Sequence, residues 1–471
     1  MNKEILAIAV PAIISNITVP LLGLVDLTLV GHIGGADYIS AIATGSMIFN
    51  VIYWIFGFLR MGTSGMTAQA YGRRSAVATT AVLSLSLRIA VAIGLFFVVM
   101  QGPVLRFMIW AMNTPAESET FVGQYFDIVV WGAPAMLTLY AANGWFIGMQ
   151  DSRLPMTIAI IQNVVNIVAS LLFVFVLHWK IEGIAAGTLI AQWSGALMAA
   201  AGMVWLRRRT LARWNAAATA VSSPETDNST AAVSDDNHIE AAAATQQNDA
   251  ATGNHAATDA DRVSLRNFLV VNRDIFLRTL CLVAVNLYFV SAGGRQGALI
   301  LAVNALLMTL YTLFSYFMDG FAYAGEALCG KYYGAGDRAS FRSLVHRLYA
   351  WGAVMTVLFT AIYIVGGQDF LGLLTSDAYV VRAAMRYLPW AVAIPVCGVM
   401  AFIYDGIFIG VTATRGMLVS SALATALFFA LQLSLSTTIA NDGLWIAFLA
   451  YLACRGAVQG VIVHKSKFMS V

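Results

Sequence analysis

Long apolar runs, each about as long as a membrane crossing, alternate along the chain with short interruptions carrying glycine, proline or charge. A helix needs roughly 20 mostly apolar residues to cross the hydrocarbon of a bilayer. By that measure the pattern predicts twelve spanning helices. Six fall at 4–31, 38–68, 77–101, 119–148, 155–178 and 182–206, and six at 267–291, 298–330, 341–366, 379–410, 416–439 and 443–464. The expected fold class is all-α integral membrane, with two pseudo-symmetric six-helix lobes. The first run follows Lys3 and Glu4 and contains Pro11, Pro20 and Asp26. It is longer than the roughly 7–15-residue core of a secretory signal, so it is expected to be the first span rather than a cleaved leader.

Composition agrees with this pattern. Hydrophobic residues make up 59% and charged residues 11% of the 471 positions, and the mean hydropathy is +0.76. A soluble domain carries about 25% charge. The one long polar stretch separates the lobes, giving an N-terminal lobe at 1–206, a linker at 207–265 and a C-terminal lobe at 266–471. From Asn215 to Asp261 the linker holds eight acids and no Lys or Arg. It is too poor in apolar residues to offset its ordering entropy and is expected to be a disordered cytoplasmic segment. With those eight acids set aside, 27 basic residues face 16 acidic ones.

The basic excess sits in alternate loops: Lys3, Arg73/Arg74, Arg153, Arg207–Arg209, Lys331/Arg338/Arg342, Arg415 and Lys465/Lys467. The positive-inside bias places these loops and both termini in the cytoplasm. No basic patch with interleaved aromatics points to nucleic acid. Cys281, Cys329, Cys397 and Cys454 lie inside apolar runs without a CxxC pair, so neither a disulfide frame nor a metal site is expected.

The halves repeat. Tyr71-Gly72 matches Tyr333-Gly334, and Asn143-Gly144-Trp145-Phe146-Ile147-Gly148 matches Asp405-Gly406-Ile407-Phe408-Ile409-Gly410 at the same offset of about 262; Tyr125 falls on Tyr387 and Arg153 on Arg415. Val25-Asp26-Leu27 matches Val285-Asn286-Leu287 at an offset two residues shorter. Six spans per repeat is an even number, so both lobes share one topology. Their axis runs along the membrane normal, with substrate expected between the lobes near the midplane.

An ionisable group inside a bilayer is costly and is a functional candidate by default. Asp26 is the sharpest, deep in the first span with no Lys or Arg between Glu4 and Arg60 and with Pro20 less than two turns earlier. Pro20 removes a backbone hydrogen bond and bends the helix. A carboxyl there can bind and release a proton or exchange it for a cation. On the fifth span lie Asn163, Asn166 and Ser170; Asn166 and Ser170 share a face and suit hydrogen bonding to a protonated Asp26. Asn143 and Thr188 are further candidates, and gluing helices together accounts for these polar residues equally well. In the second half the candidates are Asp319, Glu326 and Asp405, with Arg60, Arg88, Arg278, Arg347 and Arg455 available to pair with acids. Gly325–Lys331 spells GxxxxGK, but Tyr332 replaces the Ser or Thr of a phosphate loop, and the stretch ends a spanning helix instead of following a strand. No nucleophile–base or metal constellation appears, so no enzyme activity is expected.

Ser15-Asn16-Ile17-Thr18-Val19-Pro20-Leu21-Leu22-Gly23-Leu24-Val25-Asp26, followed by Val30-Gly31-His32, resembles the first helix of multidrug and toxic compound extrusion (MATE) transporters of the DinF-like branch. Phe58–Gly65 and Thr67–Gly72 resemble that branch's second helix, Asp319-Gly320-Phe321-Ala322 with Glu326-Ala327-Leu328 its eighth, and Asp405–Gly410 its tenth. The resemblance covers nearly all but the linker. It implies an antiporter that exports organic cations in exchange for H⁺ or Na⁺. It places Asp26 on the family's first-helix acid, whose protonation is linked to substrate release, and Asn166 on its fifth-helix Asn. Ser170 stands where the family often has Asp, which favours H⁺, since a metal ion wants several oxygens.

The expectation is therefore a proton-coupled exporter of lipophilic cations, monomeric, in a bacterial inner membrane. It needs no cofactor beyond an H⁺ gradient, with Na⁺ as the alternative ion. The rival is a lipid-linked precursor flippase of related two-lobe architecture, which requires an arginine-rich cavity for phosphates.

Overall fold

Hydrocarbon offers no partner for a free backbone N–H or C=O, so a chain in a bilayer satisfies its main chain within helices. The computed structural model describes residues 1–31, 36–112, 114, 116–221, 264–375 and 377–465, with the side chains at 19–31, 36–39, 116–117, 217–221 and 436–438 outside the description. Among these residues the secondary structure is helical, with no strand.

The first half comprises α1 (Asn2–Gly31), α2 (Ala36–Ile55), α3 (Phe58–Gly72), α4 (Ala76–Val99), α5 (Gln101–Met112), α6 (Ala116–Val129), α7 (Ala133–Gly148), α8 (Arg153–Leu171) and α9 (Ile181–Val221). The second comprises α10 (Leu265–Arg295), α11 (Ala298–Gly334), α12 (Arg338–Leu374), α13 (Ala378–Gly410) and α14 (Thr414–Lys465). Helices α2 and α3 form one span across a turn at 56–57, α6 and α7 form another through a 3₁₀ turn at Val130–Gly132, and α14 breaks at Ile439 and Ala440 into two. Eleven spans among the described residues are long and apolar enough to cross a membrane, and α1, at 30 residues, is a twelfth helix of that length.

Two helices run well past their expected ends. Helix α12 continues from residue 366 to Leu374, and helix α9 runs past residue 206 to Val221. The α9 extension is rich in Arg, Leu and Ala, which favour helix, and Trp214 packs on Tyr71 with ring centroids 5.5 Å apart. Residues 222–263 of the linker lie outside the described residues.

The repeat is written into the backbone. Arg74 and Gly336, Gln150 and Thr412, and His178 and Ala440 each adopt left-handed φ between 43° and 71°, and each pair stands 262 residues apart. These residues end or break helices, where a left-handed residue lets the chain turn and frees its last carbonyls for new partners. Directly after the first pair, Ser75 and Asp337 cap α4 and α12, accepting from Ala78 N at 3.1 Å and Ser340 N at 3.0 Å. Two lobes built on one plan therefore turn at the same places.

The seam between the lobes follows the same symmetry. A Cβ on Gly72 would overlap the carbonyl oxygen of Lys331, and a Cβ on Gly334 that of Gln69. Those are reciprocal contacts, since Gln69 and Lys331 are themselves 262 apart, and such self-complementary pairs mark a two-fold axis. Only glycine lets the backbones meet this closely.

Candidate functional site

Ser64 of α3 and Glu326 of α11 are repeat equivalents, 262 residues apart, and they touch: the Ser64 hydroxyl donates to Glu326 Oε2 at 2.6 Å. The pseudo-two-fold axis thus passes between a hydroxyl and a carboxylate. Arg60, one turn before Ser64, donates through Nη1 to Glu326 Oε2 at 3.0 Å and through Nη2 to Oε1 at 3.4 Å. Its guanidinium lies 4.0 Å from the centroid of the Tyr323 ring. Toward the helix ends, Gln69 donates to Gly410 O at 2.9 Å and Gln150 to Ala327 O at 2.8 Å. Lys331 reaches Glu4 at 3.2 Å, and Asn16 donates to Tyr316 O at 3.2 Å. The Gln69, Gln150 and Lys331 contacts close the seam at the end that carries Arg73/Arg74, Arg153, Arg338 and Arg415, whereas the Asn16–Tyr316 bond lies midway along both helices.

The first-lobe candidates divide into two groups. On α8, Asn166 is buried and donates to Thr188 Oγ1 of α9 at 3.2 Å. Ser170, one turn on, is fully buried and sits so close to Gly187 that a Cβ there would overlap its hydroxyl. Asn163 donates to the Thr18 carbonyl of α1 at 3.3 Å. The structure thus gathers Asn163, Asn166, Ser170 and Thr188 at the meeting of α1, α8 and α9. Asn166 Oδ1 and the Ser170 hydroxyl are buried without a hydrogen-bond partner among the described residues. A buried polar atom left unpaired costs about 1–3 kcal/mol, so this corner holds unused hydrogen-bonding capacity. The α1 backbone is helical through position 26, but the Asp26 side chain lies outside the described residues.

Asn143 does not join that corner. It lies on α7 with Oδ1 buried and unpaired among the described residues, next to Gly144, whose missing Cβ lets α7 meet the Arg60 carbonyl.

In the second lobe the equivalent of Asn143 is Asp405, which is tightly held. Arg278 of α10 and Arg455 of α14 both donate to its Oδ2, and Gln459 donates to Oδ1 at 2.7 Å. All four side chains are buried. Asp405 and Glu326, candidates for facing a cation, are instead neutralised by arginine: with two guanidiniums on one carboxylate, and one on the other, neither presents an open face. Asp319 differs, being partly exposed and making no hydrogen bond or ion pair among the described residues. The sequence exposed these arginines as possible partners but not which acid each would meet. Ser64, Gln69, Gln150 and Gln459 were not foreseen, although the repeat offset linking Ser64 to Glu326 was available to find the first.

The arrangement suits a carrier: two like lobes, a polar corner in one, neutralised charge in the other, and a seam closed at one end. Comparison with known proteins points the same way. The MatE family pattern matches residues 11–172 and 275–433. The DNA damage-inducible protein F of Escherichia coli (strain K12) is 33% identical over 467 residues, 98% of this chain and 92% of that protein. A probable multidrug resistance protein NorM of Acinetobacter baylyi is 25% identical over 196 residues, 41% of this chain and 43% of that protein. Among solved structures, one described as the outward-facing conformation of a multidrug resistance MATE family transporter of the MOP superfamily superposes with a TM-score of 0.79 at 17% identity. It covers 98% of this chain and 94% of that one.

Proposed function

Because this chain belongs to the MatE family of multidrug transporters, and is therefore a multi-pass membrane carrier and not an enzyme, we propose that it exports lipophilic organic cations in exchange for protons. Asp26 is the coupling acid. Protonation of Asp26 from outside repacks α1 against α8 and displaces the bound cation; deprotonation toward the cytoplasm resets the cycle. Asn163, Asn166, Ser170 and Thr188 supply hydrogen bonds to the protonated carboxyl or to the substrate. Each elementary charge carried across 100 mV releases about 2.3 kcal/mol.

The observation that carries this reading is the seam. Two lobes of one plan meet at a pseudo-two-fold axis through Ser64 and Glu326 and close at the arginine-rich end. The positive-inside bias makes that end cytoplasmic, so the lobes are closed on the cytoplasmic side, as one partner of an alternating-access pair requires.

Proton coupling rather than sodium coupling follows from the oxygens on offer. At the first-lobe corner, Ser170 supplies a neutral hydroxyl where a carboxylate would help hold a metal ion, whereas one carboxyl suffices for a proton. The flippase reading asks for arginines facing the cavity. Arg60, Arg278 and Arg455 are instead taken up by Glu326 and Asp405.

The test is ethidium transport in proteoliposomes with pH and sodium gradients imposed separately. Export that follows the pH gradient and shows counterflow supports the proposal. Export that follows sodium alone contradicts proton coupling, and transport without counterflow contradicts a carrier.

A further inference from the structure

We infer that Asp319 is a second proton-binding carboxyl, in the second lobe, which loads and unloads alongside Asp26. The inference rests on the reading of this chain as a proton-coupled exporter.

Residues Tyr316, Asp319, Tyr323, Glu326 and Gly330 form one stripe of α11 at helical spacing. The stripe faces the first lobe: Asn16 bonds Tyr316 O, Arg60 covers Tyr323 and pairs with Glu326, and Gly330 abuts Ala68. Asp319 therefore lies on the seam, next to Gly320, against which α1 packs through Ala9 and Ile13.

The charges around it are Arg60 of α3, Arg278 of α10, Asp405 of α13 and Glu326 of its own helix. Arg455 of α14 reaches this group through Asp405. Tyr311, Tyr316 and Tyr323 add phenols from α11. Helix α1 faces this stripe with Asn16 and apolar residues among its described side chains.

Three guanidiniums and three carboxylates thus share the region, but unequally. Asp405 holds two arginines and Glu326 holds one. Asp319 completes the neutral sum with no ion-pair contact of its own among the described residues. Protonating Glu326 or Asp405 breaks charge-assisted hydrogen bonds and strands a buried guanidinium, a strongly unfavourable change. Protonating Asp319 forms one O–H bond and breaks no hydrogen bond or ion pair among the described residues. Asp319 is also partly exposed, so water in the seam can deliver the proton from outside and take it away once the seam opens on the other face.

The experiment measures protons released when tetraphenylphosphonium is added to the purified, lightly buffered protein. Wild type is expected to release the most, Asp26→Asn and Asp319→Asn about half each, and the double variant almost none, because binding linkage counts each displaced proton. Release by Asp319→Asn equal to that of wild type overturns the second site and leaves the Asp26 reading intact. Release by Asp26→Asn equal to that of wild type overturns the Asp26 reading and leaves this one intact.

A measurement on the unmutated chain removes any dependence on variant folding. A hydrophobic carbodiimide, which modifies protonated carboxyls, is applied at mildly acidic pH and the sites are read by peptide mass spectrometry. Asp319 is expected to be modified well above Glu326 and Asp405. Modification of Asp319 no greater than theirs overturns the proposal.

Discussion

Asn143 and Asp405 occupy the same place in two copies of one fold, yet their surroundings are opposite. Asn143 keeps a buried amide oxygen without a partner among the described residues. Asp405 is gripped by Arg278, Arg455 and Gln459. The first-lobe counterparts of the two arginines are Asn16 or Thr18, according to which of the two repeat offsets α1 follows, and Trp193. The second lobe has thus gathered charge and compensated it, whereas the described first-lobe corner is polar, uncharged and incompletely satisfied. Compensated charge is rigid, because moving either partner exposes an ion to hydrocarbon. An unsatisfied polar corner can change partners at small cost. The difference makes the surroundings of Asp405 firm and leaves the first-lobe corner free to exchange partners.

Removing the grip should have the largest effect. Asp405→Asn strands two guanidiniums and is expected to cost about 3–5 kcal/mol, read as a large fall in the thermal unfolding midpoint of the purified protein. Asn143→Ala, at the equivalent place, removes an amide that is already unsatisfied and is expected to cost under about 1 kcal/mol. Equal losses for the two would erase the contrast between the lobes.

Glu326→Gln comes next. It leaves Arg60 without its counter-charge and weakens the seam at the axis. With the four native cysteines replaced by alanine, Ala68→Cys reports on opening, since Ala68 is fully buried against Gly330. Maleimide labelling from the arginine-rich side is expected to rise about tenfold, equivalent to about 1.4 kcal/mol. Unchanged labelling would mean that the pair does not hold the seam.

A similarly small stability effect belongs to Asn166→Ala. Its one hydrogen bond to Thr188 is worth about 1 kcal/mol, so the unfolding midpoint should move little while dye export falls sharply. Full export by this variant would remove Asn166 from the coupling network.

Much of this was readable from the chain, for physical reasons. Spans declare themselves because hydrocarbon demands helices of fixed length. The repeat was visible in matched residues such as Asn143–Gly148 and Asp405–Gly410. Its backbone signature was hidden, because Arg74, Gln150, His178, Thr412 and Ala440 are not residues that announce a left-handed turn. Helix α9 ran on to Val221 because helix propensity and the Trp214–Tyr71 contact continue where the apolar run stops. Partner choice among charges was not legible. That Arg60 meets Glu326, and that both Arg278 and Arg455 meet Asp405, depends on how helices from distant parts of the chain pack, which no local pattern encodes. Asn166 and Thr188, 22 residues apart, were foreseen as candidates but not as bonded to each other.

The central claim is that gradient-driven export requires a first-lobe acid, and Asp26→Asn tests it most directly. In vesicles with an imposed pH gradient, the variant should still bind ethidium but lose gradient-driven export. Undiminished, gradient-dependent export by Asp26→Asn would contradict the account.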